Sequence, residues 1–186
     1  MERIGIVERL KTLKLKRHNS LIAVVIDPVN RSVLDCRVPC DFEVLKSHVI
    51  GCDLAEVVDL GENVDAWVDE EGAYKPWDEV GVVRLVGQLQ LFGVVVLLGR
   101  DDCNDMADLP KGIDAELVEG MCHWLDPKKV VVPGPTMTTI GKDGQPVTER
   151  LGPDLTYQAP PRPPSDATTG TGRLITYRKR RAYKQN

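Results

Sequence analysis

The sequence predicts an α+β fold: a compact, strand-rich single domain with an N-terminal helix, a helix after the sheet and an extended C-terminal arm. Three observations carry this. Between Val49 and Arg100, apolar runs of strand length alternate with Gly-containing acidic turns. Apolar residues recur at helical spacing at the start of the chain and again near residue 120. Beyond Pro133 periodicity gives way to Gly, Pro, Thr and Asp. The predicted organisation is therefore a helix over 1–17, an α+β domain over 18–132, and a linker with a basic arm over 133–186.

The elements follow in chain order. Ile4, Val7, Leu10 and Leu13 form an apolar stripe, with Leu15 off it. Glu2 and Glu8 lie early and Lys11, Lys14, Lys16 and Arg17 late, as the helix dipole favours. Leu21–Ile26 is β-branched and apolar, a buried strand, and Asp27-Pro28-Val29-Asn30 is a turn. Residues 31–38 return as a second strand, which Pro39 stops because it has no backbone donor. Asp41 is placed to cap a short helix carrying Phe42, Val44, Leu45 and Val49, and Gly51 to end it.

Leu54–Leu60 and Val64–Val68 read as a hairpin about Gly61-Glu62-Asn63, with Trp67 in or beside the core. Asp69–Gly72 is an acidic turn, and Pro76 marks 73–78 as loop. Residues 79–86 fit either a helix or a strand. The run from Gln88 to Leu98 is the most apolar, and Gly93 within it predicts a bulge or a close backbone approach. Asp101, Asp102, Asp105 and Asp108 form another acidic turn. Asp114 caps a helix over 115–125, with Leu117, Val118, Met121, Trp124 and Leu125 on one side. Lys128–Val132 reads as a further strand. Lys142-Asp143-Gly144 is a turn. Pro153, Pro160, Pro161, Pro163 and Pro164 mark the linker.

Composition bounds the function. Hydrophobic residues make up 42% and charged residues 28%, ordinary for a soluble domain. No apolar run approaches the roughly 20 residues that span a bilayer, so no membrane partner is expected. MERIGIVERL mixes acids with bases and has no long apolar core, which speaks against a secretory leader. The five cysteines are then expected as free thiols in a reducing compartment.

The net charge of −4 hides an asymmetry. From Arg162 onward seven bases face one acid, Asp166, so the tail carries +6 and residues 1–161 carry −4 − 6 = −10. Within that tail Arg173, Tyr177, Arg178, Lys179, Arg180, Arg181, Tyr183 and Lys184 are the candidate partner-binding or nucleic-acid-binding residues. Arg and Lys neutralise phosphates, Tyr stacks on exposed bases, and Arg equally pairs with carboxylates of an acidic protein groove. A solvated tail is the bland alternative.

Other constellations are weaker. Cys36, Cys40, His48 and Cys52 offer four zinc-type ligands in C-x3-C-x7-H-x3-C, but this matches no common finger spacing, and small buried hydrophobes explain the thiols. Cys122-His123 invites a nucleophile–base pair, yet neighbours on a helix point about 100° apart. Asp69, Glu70 and Glu71, with the aspartates after Arg100, could hold a divalent cation, though acidic turns are usually solvated. Thr168–Arg173 only loosely resembles a phosphate loop and lacks Gly-Lys-Ser/Thr. No catalytic residue, metal or cofactor is assigned.

Ile50, Gly51, Glu56, Val57 and Val58, then Val68, Glu70, Glu71 and Gly72, then Gly93 and Gly99 follow one another in an order that resembles a domain-of-unknown-function family, number 3846, of phages and bacteria. The resemblance covers about residues 21–109. Cys52 stands where that family usually has Gly, and Val94 where it commonly has Asp. The resemblance implies a viral or prophage origin and no chemistry. The combined expectation is a non-enzymatic phage accessory or assembly protein in the host cytoplasm or the virion, working within a larger protein assembly or as a homo-oligomer. Alternatives are a virion structural protein whose arm ties subunits together, or an inhibitor of a host defence protein or sequesterer of a small ligand.

Overall fold

The computed structural model describes residues 5–85, 89–134, 136–140 and 145–157. The elements are α1 (Ile6–Thr12), β1 (Ser20–Asp27), β2 (Ser32–Pro39), α2 (Phe42–Val44), β3 (Ala55–Gly61), β4 (Val64–Asp69), α3 (Trp77–Val80), β5 (Val82–Arg84), β6 (Gln90–Phe92), β7 (Val95–Arg100), β8 (Met106–Ala107), α4 (Ala115–Met121), β9 (His123–Trp124), β10 (Val131–Val132), β11 (Thr136–Ile140), β12 (Pro146–Arg150) and β13 (Leu155–Thr156). α2 runs on as a π-helical turn over Leu45–Ile50. The fold is α+β and strand-rich, as the sequence predicts.

A central antiparallel sheet has the order β2-β1-β7-β4-β3, with β8 pairing the far end of β7. Both of its faces are covered. Val24 and Ile26, Val64, Ala66 and Val68, and Val95 and Leu97 point to one side. There they meet Val83 and Leu91 of a small sheet, β6-β5-β9, Leu85 just beyond β5, and Val118 of α4. Ala23 and Val25, Val38, and Val96 and Leu98 point to the other side. There they meet Ile6 of α1 and Leu45, Val49 and Ile50. Two-sided burial is why β1 and β7 read as continuous apolar runs with no alternation.

Several local expectations shift. The helix at the start is shorter than 1–17, and its inward positions are Ile6, Leu10 and Leu13, while Val7 is exposed and Ile4 lies outside the described residues. Ile6, Leu10 and Leu13 keep the i, i+4, i+7 spacing, so the period holds and the phase moves. The stretch 73–78 holds a 3-10 turn at Gly72–Tyr74 and the start of α3. The ambiguous 79–86 segment splits into the end of α3 and strand β5.

The apolar run 88–98 is not one strand. Gly93, at φ +81°, separates β6 of the small sheet from β7 of the central one. The expected bulge is thus a corner at which the chain changes sheets. α4 ends at Met121, not at Leu125, because His123 and Trp124 pair with Arg84 and Val83. Val118 is its buried residue, whereas Leu117 and Met121 are exposed.

Two caps stand where the sequence puts them. Asp41 accepts from Val44 N at 3.0 Å and Asp114 from Leu117 N at 2.9 Å. Gly51 closes the π-helical turn at φ +82°. After Pro133, where a linker is expected, β11 and β12 form an exposed hairpin, and β13 returns to pair with β10. Leu155 and Tyr157 pack beside Trp77, Phe92 and Val130. The β-branched residues of TMTTI explain the pairing. The turn at 142–144 and the arm from 158 onward lie outside the described residues.

Candidate functional site

One end of the central sheet opens into a cleft of about 970 Å³. β1 and β4 finish there, with Asp27 and Asp69, and β7 begins there after Gly93 and Val94. α1 contributes Ile6 and Arg9, the helix after Asp41 contributes Ile50 and Gly51, and the segment through α3 contributes Lys75, Pro76, Glu79 and Val80. Val29 and Asn30 of the β1–β2 turn complete the wall.

The polar groups are held differently. Asp27 is buried, and both oxygens of its carboxylate are hydrogen-bonded within the turn. Oδ1 accepts from Val29 N (3.1 Å) and Asn30 N (3.2 Å), and Oδ2 from Asn30 Nδ2 (2.8 Å). This is the turn chemistry of an Asp at a strand end. Lys75 pairs with Asp69, whose other oxygen accepts from Glu71 N at 3.0 Å. Arg9 is half-buried, and its Nε is enclosed without a hydrogen-bond partner. Its guanidinium lies over Gly51, where a Cβ would stand 2.8 Å from Nη1. Burial lowers the Arg9 pKa, and the charge of Asp27 works against that. The lining side chains include carboxylates, a guanidinium, an ammonium, an amide and aliphatic groups, and neither a thiol nor an imidazole. Such a set offers charged, polar and aliphatic groups on one surface.

The residues singled out from the sequence are placed as follows. Arg173, Tyr177, Arg178, Lys179, Arg180, Arg181, Tyr183 and Lys184 lie outside the described residues, as does Thr168–Arg173. Cys36, Cys40, His48 and Cys52 are not brought together. Cys36 faces the helix-covered core, Cys52 is buried in that core, Cys40 is exposed, and His48 Nδ1 meets Ser47 Oγ at 2.8 Å. Burial, helped by Asp35, pushes the Cys36 thiol up to about 12; burial, helped by Asp69, pushes Cys52 up to about 11. Cys122 sits at the end of α4, pushed up to about 11 by burial and then Glu119, while His123 is exposed on β9.

The acidic turns do backbone work. Asp101 Oδ1 accepts from Cys103 N and Asp105 N, both at 2.9 Å, and Asp108 Oδ1 accepts from Ile22 N at 2.6 Å. Among the described residues no group of three or more His, Cys, Asp or Glu is gathered around a common point. No helix among them is long and apolar enough to cross a membrane.

A second feature is the edge strand β3. It pairs with β4 on one side and ends the sheet order on the other. Glu56 and Asp59 are exposed on it, and Asp53, Glu62, Glu70 and Glu71 are exposed around it. Arg100 reaches Asp59 at 3.3 Å and Asp65 at 3.4 Å. The Gly61 amide first, then Arg100, hold the Asp59 carboxyl below its ordinary value. Comparison with family models, with curated proteins and with solved structures gives no match.

Proposed function

We propose that the protein acts by binding, as a non-enzymatic phage accessory or assembly protein. The acidic body docks on a protein partner, and the basic C-terminal arm contacts a neighbouring protein or nucleic acid. The observation that carries this reading is the charge division: +6 from residue 162 onward against −10 before it. A body and an arm of opposite sign steer different partners, and an arm of clustered Arg and Lys gains most where it meets phosphates or carboxylates. The resemblance to family 3846 supports the viral setting.

The test is affinity capture from infected cells, comparing the intact chain with one in which Arg178, Lys179, Arg180 and Arg181 are all replaced by Gln. The expected result is loss of the captured partner. If the partner is nucleic acid, the intact chain's log affinity falls against log salt with a slope of up to about −6, the limit for seven bases on duplex DNA. Capture unchanged at every salt concentration removes the arm from the mechanism.

A second reading, a virion component whose arm ties copies together, is favoured by the edge of β3. An edge strand is a template for strand addition, and this one is bordered by carboxylates that suit a basic segment. Mass spectrometry of purified particles separates the two: a structural component is present in stoichiometric amounts, an accessory protein is not.

A further inference from the structure

We infer that the outer edge of β3 is covered by Leu174–Tyr177 of the same chain's C-terminal arm, added as an antiparallel strand. The inference rests on the reading of that arm as a binding segment, and it names the surface the arm occupies when no other partner holds it.

β3 ends the sheet order, and among the described residues nothing pairs with its outer side. Its two faces are also incompletely covered. Val57, opposite Trp67 on the helix-covered face, is 43% exposed, and Leu54 just before the strand is 50% exposed. Val58 and Leu60, on the other face, are half-buried against the core. Such an edge displays backbone donors and acceptors beside apolar side chains, and an added strand satisfies both. Leu174, Ile175, Thr176 and Tyr177 supply a matching sequence, aliphatic, β-branched or aromatic, with no charge, Gly or Pro.

Charge sets the direction. Around the start of β3 stand Asp53, Glu56, Glu70 and Glu71, all exposed, and Glu70 N donates to Leu54 O at 3.1 Å, which holds that turn beside the strand. At the other end Glu62 is exposed, and Asp59 is already engaged by Arg100. In the arm Arg173 precedes the apolar residues, and Arg178, Lys179, Arg180 and Arg181 follow them. An antiparallel strand lays these four bases against the four carboxylates and Arg173 towards Glu62. A parallel strand would bring them to the Arg100 end instead.

Reach selects the chain's own arm. The described chain leaves the body at Tyr157, beside Trp77. Residues 158–173, extended, span up to about 50 Å. The seven residues of β3 span about 23 Å. A tether of this length holds the arm at an effective concentration on the order of millimolar, above that of a second copy in dilute solution.

The test is hydrogen exchange of the full-length chain, followed by mass spectrometry of peptides covering Ala55–Gly61. Ile175→Pro removes a strand donor from the arm and keeps every base. Exchange in β3 is expected to be at least ten-fold slower in the wild type than in Ile175→Pro, at every protein concentration, with β1 and β7 alike in both. Carbodiimide coupling of the wild type is expected to join Lys179 to Asp53, Glu56, Glu70 or Glu71 within one chain. Equal β3 exchange in the two chains, protection that grows with concentration as a dimer forms, or coupling of Lys179 to Glu62 instead each overturns the inference. Ile175→Pro retains partner capture. If replacing Arg178, Lys179, Arg180 and Arg181 by Gln abolishes capture while β3 exchange is the same in all chains, the inference falls and the binding role stands. If Ile175→Pro unprotects β3 while the four-Gln chain captures its partner as before, the binding role falls and the inference stands.

Discussion

Gly81 is the position at which a single methyl group should do most damage. It follows α3 with φ +73° and ψ 161°, a region that is essentially reserved for glycine. A Cβ there would stand 2.7 Å from the carbonyl carbon of Pro28, 2.8 Å from its Cβ and 2.8 Å from Val29 N. Two of those atoms are backbone, so they cannot swing aside. Gly81→Ala therefore combines backbone strain of about 1–3 kcal/mol with an overpacking cost of about 1–3 kcal/mol, for a sum of about 2–6 kcal/mol. Against a typical domain stability of about 5–15 kcal/mol this is a large fraction. Gly61→Ala is the control. Gly61 also has positive φ, +86°, but nothing lies within 4 Å of its Cβ position, so strain alone of about 1–2 kcal/mol applies. Urea unfolding followed by tryptophan fluorescence measures both. If Gly81→Ala costs no more than Gly61→Ala at equal m-value, the close approach of α3 to the β1–β2 turn is not what fixes these two walls of the cleft.

Three further outcomes are expected. Asp114→Ala removes the acceptor for Leu117 N at the start of α4 and lowers stability by about 1 kcal/mol, read as a shift in the urea midpoint. Iodoacetamide at pH 8, followed by intact mass, should modify the exposed Cys40 and Cys103 in the folded chain. Cys36, Cys52 and Cys122, whose thiols burial pushes up to about 12, 11 and 11, should react only after unfolding. Asp59 has a lowered pKa in the fold, so its contribution is present above the unfolded carboxylate value and is lost as pH falls through the folded one. Asp59→Asn should flatten the acid limb of a stability–pH profile below about pH 4 slightly, the group being exposed.

What the sequence shows best is what local chemistry decides. The Asp41 and Asp114 caps, the Gly51 stop, the turn after Asp27 and the Gly61 hairpin each depend on a few adjacent residues, and each stands as read. What it hides depends on partners distant in sequence. The run around Gly93 has one composition on both sides, and only the pairing of Phe92 with Val82 and of Val96 with Val25 and Trp67 assigns its halves to different sheets. The phase of α1 is set by the groove that receives Ile6 and Leu10, which no local pattern encodes. The cleft was illegible for the same reason. Arg9, Asp27, Asp69, Lys75 and Glu79 share no motif or spacing, and they meet because three strands end together. Asp27 and Asp69 carried a faint signal as acids closing apolar runs.

The layering also explains where recognition must sit. With both faces of the central sheet covered, Ala23–Ile26 and Val95–Leu98 present nothing to solvent, so the sheet itself offers only its strand ends and its β2 and β3 edges. A ligand at the strand ends touches α1 and α3, which pack on the body through Ile6, Leu10 and Leu13 in one case and Trp77 and Val80 in the other. A ligand bridging them should therefore stabilise the whole fold by mass action, about 2.7 kcal/mol at a hundred-fold excess over its Kd.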